Sequence, residues 1–314
     1  MKRQKRPENT YIGIGLILAS TFAFTVMSAF IRALGDRIPV GETAFARSFF
    51  ALIPLVAVLH WRGELHEAFQ LHKPMRHVTR AIAGIGSMFC NFASLSRIPL
   101  ADMTAIGFIT PLFNVALAAI FLGEKVRMFR WAAVSIGFLG VMIMLAPHLF
   151  GAERGEGAAL GAILAFVGAF LVAAAMTQVR QLATTETTAS LVFSFTVLCT
   201  ITGLVTIFWG WVWPDPWDAM VLFLVGVFGG IGQITVTESY RHASAGTVAP
   251  FSYTSMIYSL VIGYSFFGEV PEAIVLLGAL LVVLAGLFVI YRERQLHIDR
   301  TLEREAETPT SAAL

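Results

Sequence analysis

The amino-acid sequence predicts an all-α integral membrane protein whose ten transmembrane helices form two inverted five-helix repeats. Three observations support this fold class: the composition, ten long apolar runs and an internal repeat. Of the 314 residues, 57% are hydrophobic and 13% are charged, which is about half the charged fraction of a soluble domain. Mean hydropathy is +0.75, so the chain cannot cover a water-soluble surface. This composition excludes a soluble enzyme, a disordered scaffold and a small secreted disulfide protein.

Ten apolar runs follow one another along the chain, and each is long enough to cross a bilayer. A spanning helix takes about 20 apolar residues, because the hydrocarbon core is about 30 Å thick. The runs are too long for barrel strands, so they indicate helices, which satisfy their own backbone polar groups in lipid. The predicted spans are 11–31, 40–59, 78–97, 101–122, 130–147, 158–177, 188–211, 218–240, 245–267 and 272–291.

Basic residues predict how these spans are oriented. With the N-terminus in the cytoplasm, seventeen of the 22 Lys and Arg residues fall in cytoplasmic segments and four in outside loops, while Arg47 lies within a span. Cytoplasmic loops are the ones enriched in Lys and Arg. We therefore expect both terminal tails, 1–10 and 292–314, to be cytoplasmic, with the second tail disordered at its end.

An internal repeat divides the predicted spans into two halves, 11–147 and 158–291. An offset of 145 residues places Gly123 and Glu124 on Gly268 and Glu269, with small residues on small residues around them. Because each half has five spans, an odd number, the second half must be inverted relative to the first. Inverted repeats are a transporter architecture in which the substrate binds near mid-membrane between the halves.

Specific motifs in this repeat resemble the drug/metabolite transporter superfamily, EamA type, over essentially residues 11–291. The resemblance is carried by Pro99-Leu100-Ala101-Asp102, Ala105-Ile106, Pro111-Leu112-Phe113, Leu122-Gly123-Glu124, Arg130-Trp131 and Gly137-Phe138-Leu139-Gly140-Val141, and more weakly by Gly268-Glu269 and Gly278. The superfamily moves amino acids, nucleotide sugars, purines and vitamins. The residues of these motifs are similar to those of a branch that holds bacterial riboflavin and S-adenosylmethionine uptake permeases. The resemblance thus implies a multi-pass protein of the bacterial inner membrane that takes up riboflavin, or alternatively takes up S-adenosylmethionine or exports amino acids or other metabolites.

Small and polar residues recur at helical spacing on three predicted spans and mark a candidate substrate cavity. They are Gly84, Ser87, Asn91 and Ser94 on the third span, Thr104, Gly107, Pro111, Asn114 and Ala118 on the fourth, and Ala249, Ser252, Met256, Ser259 and Gly263 on the ninth. Such stripes equally suit close helix packing. Where they line a cavity, the hydrogen-bonding candidates are Asn91, Asn114, Ser252 and Ser259.

Four aromatic residues lie on spans that line the cavity in similar transporters. Phe24, Phe89, Tyr253 and Tyr258 could stack on a planar ring such as a flavin. The alternative for each residue is a place in the core or against lipid.

Three further residues are candidates for binding, gating or coupling. Arg47 lies inside the second span, where a charge is costly, so it either contacts the substrate or pairs with Glu42 or a helix-end carbonyl. Glu238 is a coupling carboxylate or inner-gate residue, or else a surface ion pair with Arg241. Pro111 should kink its helix, as a hinge or as a static bend, whereas the second half has Met256 at that position and no kink is expected there.

Three acidic residues have structural interpretations. Asp102 is expected to complement a helix N-terminus. Glu124 and Glu269 are expected, by the resemblance, to be structural corners.

No motif for cofactor, metal or nucleotide chemistry is found. His60, His66, His72 and His77 lack the i, i+4 spacing of helical metal ligands, and there is no phosphate-binding GxxxxGK[ST] loop. Cys90 and Cys199 lie in apolar runs, so no disulfide framework is expected. We expect no cofactor and no nucleic acid; the partners are a small-molecule substrate and the lipid bilayer, with a homodimer left open. A membrane-embedded enzyme is a remote alternative, because intramembrane acids and bases are few and scattered.

Overall fold

The computed structural model describes residues 9–122, 128–150, 155–183, 185–243 and 245–307. The fold is all-helical, with 86% helix and no strand in the described segments. The Gly123–Glu124 motif of the first half lies outside the described residues, as do residues 1–8 and 308–314 of the predicted tails.

The helices follow the order of the predicted spans. In the first half they are α1 (Thr10–Leu34), α2 (Val40–Trp61), α3 (Leu65–Ala68), α4 (Pro74–Leu95), α5 (Leu100–Gly107), α6 (Thr110–Leu122) and α7 (Met128–Phe150). In the second half they are α8 (Gly155–Leu182), α9 (Thr188–Val205), α10 (Pro216–His242), α11 (Ala245–Val248), α12 (Thr254–Phe267) and α13 (Ala273–Glu307). Short 3₁₀ turns occupy Thr206–Trp209 and Ala249–Tyr253.

Local sequence signals set several helix ends. The side chains of Asn9, Thr187 and Asp215 accept hydrogen bonds from the first turns of α1, α9 and α10, which satisfies backbone donors that have no helical partner. Gly35 and Gly268 end α1 and α12 with positive φ angles of 55° and 64°, a conformation that glycine adopts without a steric penalty.

Among the described residues, eight helical segments are long and apolar enough to cross a membrane, with Leu100–Phe121 of α5 and α6 counted as one. The sequence predicts ten. The chain is thus a multi-pass membrane protein. The predicted span 78–97 corresponds to α4, a 22-residue helix in which Arg80, Asn91 and several small polar residues lower the apolar content. The predicted span 245–267 is divided among α11, a 3₁₀ turn and α12, none of which reaches spanning length alone.

The long helices pack in pairs that join the two halves of the chain: α1 with α10, α4 with α8, α2 with α9 and α7 with α13. Glycines allow these close approaches. A Cβ placed on Gly140 of α7 would lie 2.8 Å from the carbonyl oxygen of Gly278 on α13. Between α1 and α10, Ser20 Oγ donates to the Gly232 carbonyl at 2.8 Å and Ser239 Oγ donates to the Gly13 carbonyl at 2.8 Å.

Candidate functional site

The small-residue stripes of the fourth and ninth predicted spans meet where α5 packs on α12. The hydroxyl oxygens of Thr104 and Ser259 are 2.8 Å apart, and Thr104 Oγ1 also donates to the Leu100 carbonyl at 2.8 Å. Ser259 is fully buried. Here the two stripes pack against each other and do not line a cavity. We call this contact the α5–α12 seam.

The two candidate asparagines have different surroundings. Asn91 packs against Gly168 of α8, where a Cβ would collide with its carboxamide. The Oδ1 atom of Asn114 is buried and has no hydrogen-bond partner among the described residues. Asn114 thus has an unpaired acceptor that is closed to solvent, whereas Asn91 lies in a helix contact.

The remaining polar and aromatic candidates do not converge on one point. Ser252 Oγ donates to the Ala249 carbonyl at 2.6 Å within its own 3₁₀ turn. The Tyr253 hydroxyl abuts Gly286 of α13, and its ring meets Phe108 edge-on with the centroids 5.0 Å apart.

Two further aromatic candidates lie on or against α1. Tyr258 meets Phe22 edge-on at 5.4 Å, and 47% of Phe22 is exposed. The Phe24 ring covers Gly232 of α10, 2.9 Å from where a Cβ would lie. Phe89 packs against the same apolar cluster as Phe24.

Both halves contain an interrupted helix next to the seam. In the first half the interruption is at Phe108 and Ile109, between α5 and α6, just before Pro111. The amide groups of Phe108 and Ile109 donate to carbonyls three residues earlier, at 3.1 and 3.2 Å. In the second half the 3₁₀ turn Ala249–Tyr253 contains Pro250 in its first positions. The repeat alignment, which places Met256 on Pro111, does not reveal this second interruption. The 3₁₀ turn begins seven residues before Met256.

Arg47 projects from α2 toward α10, and its Cγ and Nε would both lie 3.4 Å from a Cβ on Gly229. The structure gives Arg47 no hydrogen-bond or ion-pair partner in the part of the chain that it describes. Glu42, the partner that the sequence suggests, instead accepts from the backbone N–H of Val212 at 3.2 Å. The proposed pairing of Arg47 with Glu42 is thus wrong.

A second arginine, Arg80 of α4, lies inside the helical bundle. It is not among the site residues predicted from the sequence. Its guanidinium carbon lies 4.4 Å above the ring centroid of Phe195, and its Nη1 donates to the Leu191 carbonyl at 2.7 Å. Its Nε is buried without a hydrogen-bond partner among the described residues. Arg80 is one of the seventeen Lys and Arg residues counted as cytoplasmic from the sequence, although its position inside the predicted span 78–97 is a signal that could have identified it.

A groove opens between the ends of α2, α9 and α10, and we call it the α2–α9–α10 groove. Its cavity volume is small, about 40 Å³. The walls are formed mainly by Leu55, Val58 and Leu59 of α2, Thr188, Ala189 and Val192 of α9, and Gln233, Ile234 and Thr237 of α10.

Charged residues surround the mouth of this groove. Glu238 accepts from Arg62 Nη1 at 2.6 Å and lies 3.3 Å from Arg241, which in turn reaches Glu64 at 3.3 Å. The hydrogen bond that Arg62 donates to Glu238 raises the pKa of Arg62 above its ordinary value, although partial burial opposes this shift. The predicted pairing of Glu238 with Arg241 is present, and Arg62 adds a link between α10 and the end of α2.

Two acidic residues lie at helix ends, as the sequence predicts, and each contacts another helix. Leu100 N–H, at the start of α5, donates to Glu269 at 2.8 Å, and the same carboxylate accepts from Arg32 at 2.8 Å. Glu269 therefore joins the ends of α1, α5 and α12. Asp102 lies in the first turn of α5, as the sequence suggests, and it is buried 2.9 Å from His148 of α7.

A buried carboxylate also organises the segment before α9. Glu186 accepts from the backbone N–H groups of His72 and Lys73 at 2.9 and 2.8 Å and lies 3.5 Å from His77. Burial raises the pKa of Glu186, but these hydrogen bonds and the nearby histidines outweigh it, so the pKa is lowered overall. Within the described residues, no three His, Cys, Asp or Glu side chains are grouped so that they could hold a metal ion.

Comparison with known proteins gives matches across both halves of the chain. The EamA-like transporter family matches residues 11–146 and again residues 159–292. An S-adenosylmethionine uptake transporter of Rickettsia felis is 27% identical, covering 91% of this chain and 95% of the relative. The pseudopaline exporter CntI of Pseudomonas aeruginosa is 26% identical (87% and 94%), and a riboflavin transporter of Rhizobium johnstonii is 28% identical (91% and 93%). One solved protein chain aligns with a TM-score of 0.60 at 21% identity, covering 88% of this chain and 94% of that chain, a likeness that concerns the fold alone.

Proposed function

Because this chain belongs to the EamA-like transporter family and is a membrane transporter rather than an enzyme, we propose that it moves a small cofactor-like metabolite by alternating access. The site would lie between the halves 11–147 and 158–291. The membrane is the bacterial inner membrane, with both termini in the cytoplasm, as the distribution of Lys and Arg favours.

In this proposal ten helical segments cross the membrane, with α4 and the broken α11–α12 segment added to the eight apolar helices. At about 1.5 Å per residue, the 22 residues of α4 reach about 33 Å, enough for the hydrocarbon core. The interrupted α11–α12 segment is compatible with a membrane position, because broken helices are tolerated where they are covered by protein or line a cavity.

The observation that carries the proposal is the reciprocal pairing of helices between the halves. If a two-fold relation maps α1 on α8 and α4 on α10, the pair α1–α10 maps on α8–α4, and both pairs are present. The pairs α2–α9 and α7–α13 map on themselves and are also present. This pattern supports two inverted repeats that rock against each other.

Polar contacts at opposite ends of the bundle suit such a motion. The α5–α12 seam and the Arg32–Glu269 ion pair close the end at which α1 finishes, while the groove is open where α2 and α10 finish. Rocking would break the first set of contacts and close the groove. A proton or the substrate gradient would supply the driving force.

Substrate identity is best tested on two metabolites, S-adenosylmethionine and riboflavin, since relatives of this chain are named for each. Both molecules carry a planar heterocycle that aromatic residues of this chain could stack on. Direction is tested together with identity, because one relative is named an exporter.

Solute counterflow with the purified full-length protein in liposomes tests the proposal. Vesicles loaded with unlabelled S-adenosylmethionine or riboflavin should transiently accumulate the labelled form, and vesicles without protein should not. The accumulated solute should be chemically unchanged. Failure of both solutes would refute this choice of substrates, and a chemically altered solute would contradict simple transport.

A further inference from the structure

Three polar contacts join α5 to its neighbours at the end of the bundle where α1 finishes, which we call the outer end. They are Leu100 N–H with Glu269, Asp102 with His148 of α7, and Thr104 with Ser259 of α12. The helix has only eight residues, and the interruption at Phe108 and Ile109 separates it from α6. Opening of the outer end therefore requires α5 to part from these neighbours.

Asp102 and His148 form a buried acid–base pair. The Nε2 atom of His148 lies 2.9 Å from Oδ2 of Asp102, and each side chain is 1% exposed. One turn away on the two helices are Ile106 and Met144, which belong to one buried apolar cluster. A net charge is costly in such surroundings, so the strength of this contact depends on how many protons the pair holds.

The contacts of His148 determine that number. Its Nδ1 atom lies 3.2 Å from the carbonyl oxygen of Met144, and because a carbonyl oxygen only accepts, Nδ1 carries a hydrogen. A neutral imidazole has one N–H, so Nε2 would then be a bare acceptor beside the carboxylate. The 2.9 Å contact with Asp102 thus requires a second proton, on Nε2 or on Oδ2. With this proton the pair is neutral overall.

Loss of the second proton would make the contact repulsive. The pair would carry one negative charge, and lone pairs of Nε2 and Oδ2 would face each other within the apolar cluster. Separation of α5 from α7 would admit water to the carboxylate and relieve both costs. The protonated pair therefore suits the closed outer end, and the deprotonated pair suits an open one.

The neighbouring elements bring several other charged groups to the outer end. Arg32 at the end of α1 pairs with Glu269 after α12. Arg97 after α4 donates to the Ala93 carbonyl. Glu272 lies just before α13 at the same end, and the side chains of Arg154 and Glu156, beside the start of α8, lie outside the described structure.

The remaining surroundings of the pair are apolar, and histidine is the residue type that titrates between about pH 5 and 8. α6 contains no titratable side chain. In the predicted topology, six of the seven histidines lie at the cytoplasmic end and His148 lies at the outer end. The described side chains that α8 and α13 add to the apolar cluster are Ala162, Ala165, Ala169, Val275, Ala279 and Val282.

We propose that Asp102 and His148 form a proton-binding site that closes the outer end of the transporter, an assignment that rests on the proposed transporter function. A proton held between the two side chains keeps α5 against α7. When the outer end opens, this proton leaves to the outside water, and the carboxylate stays charged beside a neutral imidazole. Acid outside the cell thus favours the closed outer end, and a higher pH favours the open one.

The experiment measures how far the outer end is open at each external pH. A Thr104→Cys substitution places a thiol in the α5–α12 seam, and intact bacterial cells that express the full-length protein are treated with a membrane-impermeant thiol reagent. Asp36→Cys is the matched reference, because Asp36 is exposed near the end of α1 and its labelling follows only the reactivity of the thiol. The protein without either substitution gives the background from Cys90 and Cys199.

The ratio of labelling at Thr104→Cys to labelling at Asp36→Cys should rise with pH. Between about pH 5 and about pH 8 we expect a rise of about 10-fold or more, because release of one proton shifts an equilibrium by up to about tenfold per pH unit. Division by the Asp36→Cys signal cancels the ordinary increase of thiolate with pH.

Substitutions of the pair should change this ratio in opposite directions. Asp102→Asn should keep it low at every pH, because the carboxamide donates to Nε2 in place of the proton. His148→Gln should raise it at about pH 6, where an ordinary carboxylic acid without the imidazole is already ionised. A contact that only packs two helices would be weakened by both substitutions alike. Glu272→Gln and Glu156→Gln should keep the wild-type rise.

Several results would overturn the proposal. They are a ratio that does not change with pH, equal opening by Asp102→Asn and His148→Gln, and a rise that is lost in Glu272→Gln or Glu156→Gln but kept in Asp102→Asn. If Asp102→Asn does not reach the membrane, the wild-type and His148→Gln ratios decide. Labelling needs no solute, so a pH-dependent ratio without counterflow of either solute would refute the proposed substrates and still support the proton site.

Discussion

Replacing Glu269 with glutamine should loosen the junction at which the ends of α1, α5 and α12 meet. The carboxylate is 8% exposed and accepts two hydrogen bonds of 2.8 Å, from Arg32 Nε and from Leu100 N–H. Glutamine has nearly the same shape, but it offers one acceptor oxygen and no charge. Arg32 is then left with only the Leu95 carbonyl, at 2.9 Å, as a partner.

The size of the effect follows from these contacts. Hydrogen bonds to charged groups contribute about 1.5–3 kcal/mol each, and breaking a buried ion pair on one side costs about 3–5 kcal/mol. Since Arg32 keeps 22% exposure, the lower end of that range applies, about 3 kcal/mol. For a chain larger than 250 residues, this corresponds to a fall in melting temperature of about 6 °C.

Thermal unfolding of the full-length protein in detergent measures this change, and a double-mutant cycle isolates the pair. Arg32→Gln and Glu269→Gln are combined, and the coupling energy should be about 1–3 kcal/mol. Asp36→Asn is the control, because Asp36 is an exposed acid near the same end of α1. A Glu269→Gln melting temperature within about 1 °C of the wild type, equivalent to less than about 0.5 kcal/mol, or a coupling energy near zero, would refute the reasoning.

Three further predictions concern other contacts. The pKa of Glu186 is lowered in the folded state. Its charge therefore stabilises the fold above its ordinary pKa, and this stabilisation is lost as the pH falls through the lowered value. The Glu186→Gln variant should melt below the wild type at pH 7, and the difference in melting temperature should shrink in acid. The hydroxyls of Thr104 and Ser259 are 2.8 Å apart, so paired cysteines at these positions should form a disulfide that stops counterflow, and a reductant should restore it; neither single-cysteine variant should respond. Unchanged transport after complete cross-linking would contradict movement at the seam. Gly278→Val should lower the melting temperature, because a Cβ there would lie 2.5 Å from the Gly140 carbonyl and force α7 and α13 apart; Gly157→Val, where a Cβ meets no neighbour, is the control.

The membrane class and the positions of most helices follow from the sequence, because both depend on sums over many residues. A run of about 20 apolar residues predicts a span whatever its neighbours are, and α1, α2, α7, α8 and α10 begin and end close to the predicted boundaries. The interruption before Pro111 is likewise local, since a proline lacks the N–H that a continuous helix needs.

Sequence-based interpretation fails where the position of a residue in the chain fits one role but its tertiary contacts give it another. The sequence pattern places Arg80 among the cytoplasmic charges, but its side chain packs on the ring of Phe195 inside the helical bundle. Pro250 starts a 3₁₀ turn in the second half, although the repeat alignment draws attention to Met256. Asp102 stands where a helix cap is expected, but Glu269, 169 residues away from Leu100, accepts the hydrogen bond from the helix start.

The sequence by itself determined that this chain is a helical membrane protein with two related halves, because hydropathy and repeats are properties of the chain. The tertiary structure alone decided which polar side chains meet. Ser20 binds a carbonyl 212 residues away, and Thr104 meets a hydroxyl 155 residues away. Such contacts depend on the rotation and register of packed helices, which one-dimensional spacing does not specify. For the same reason, only the fold places Arg80 on the ring of Phe195, 115 residues away.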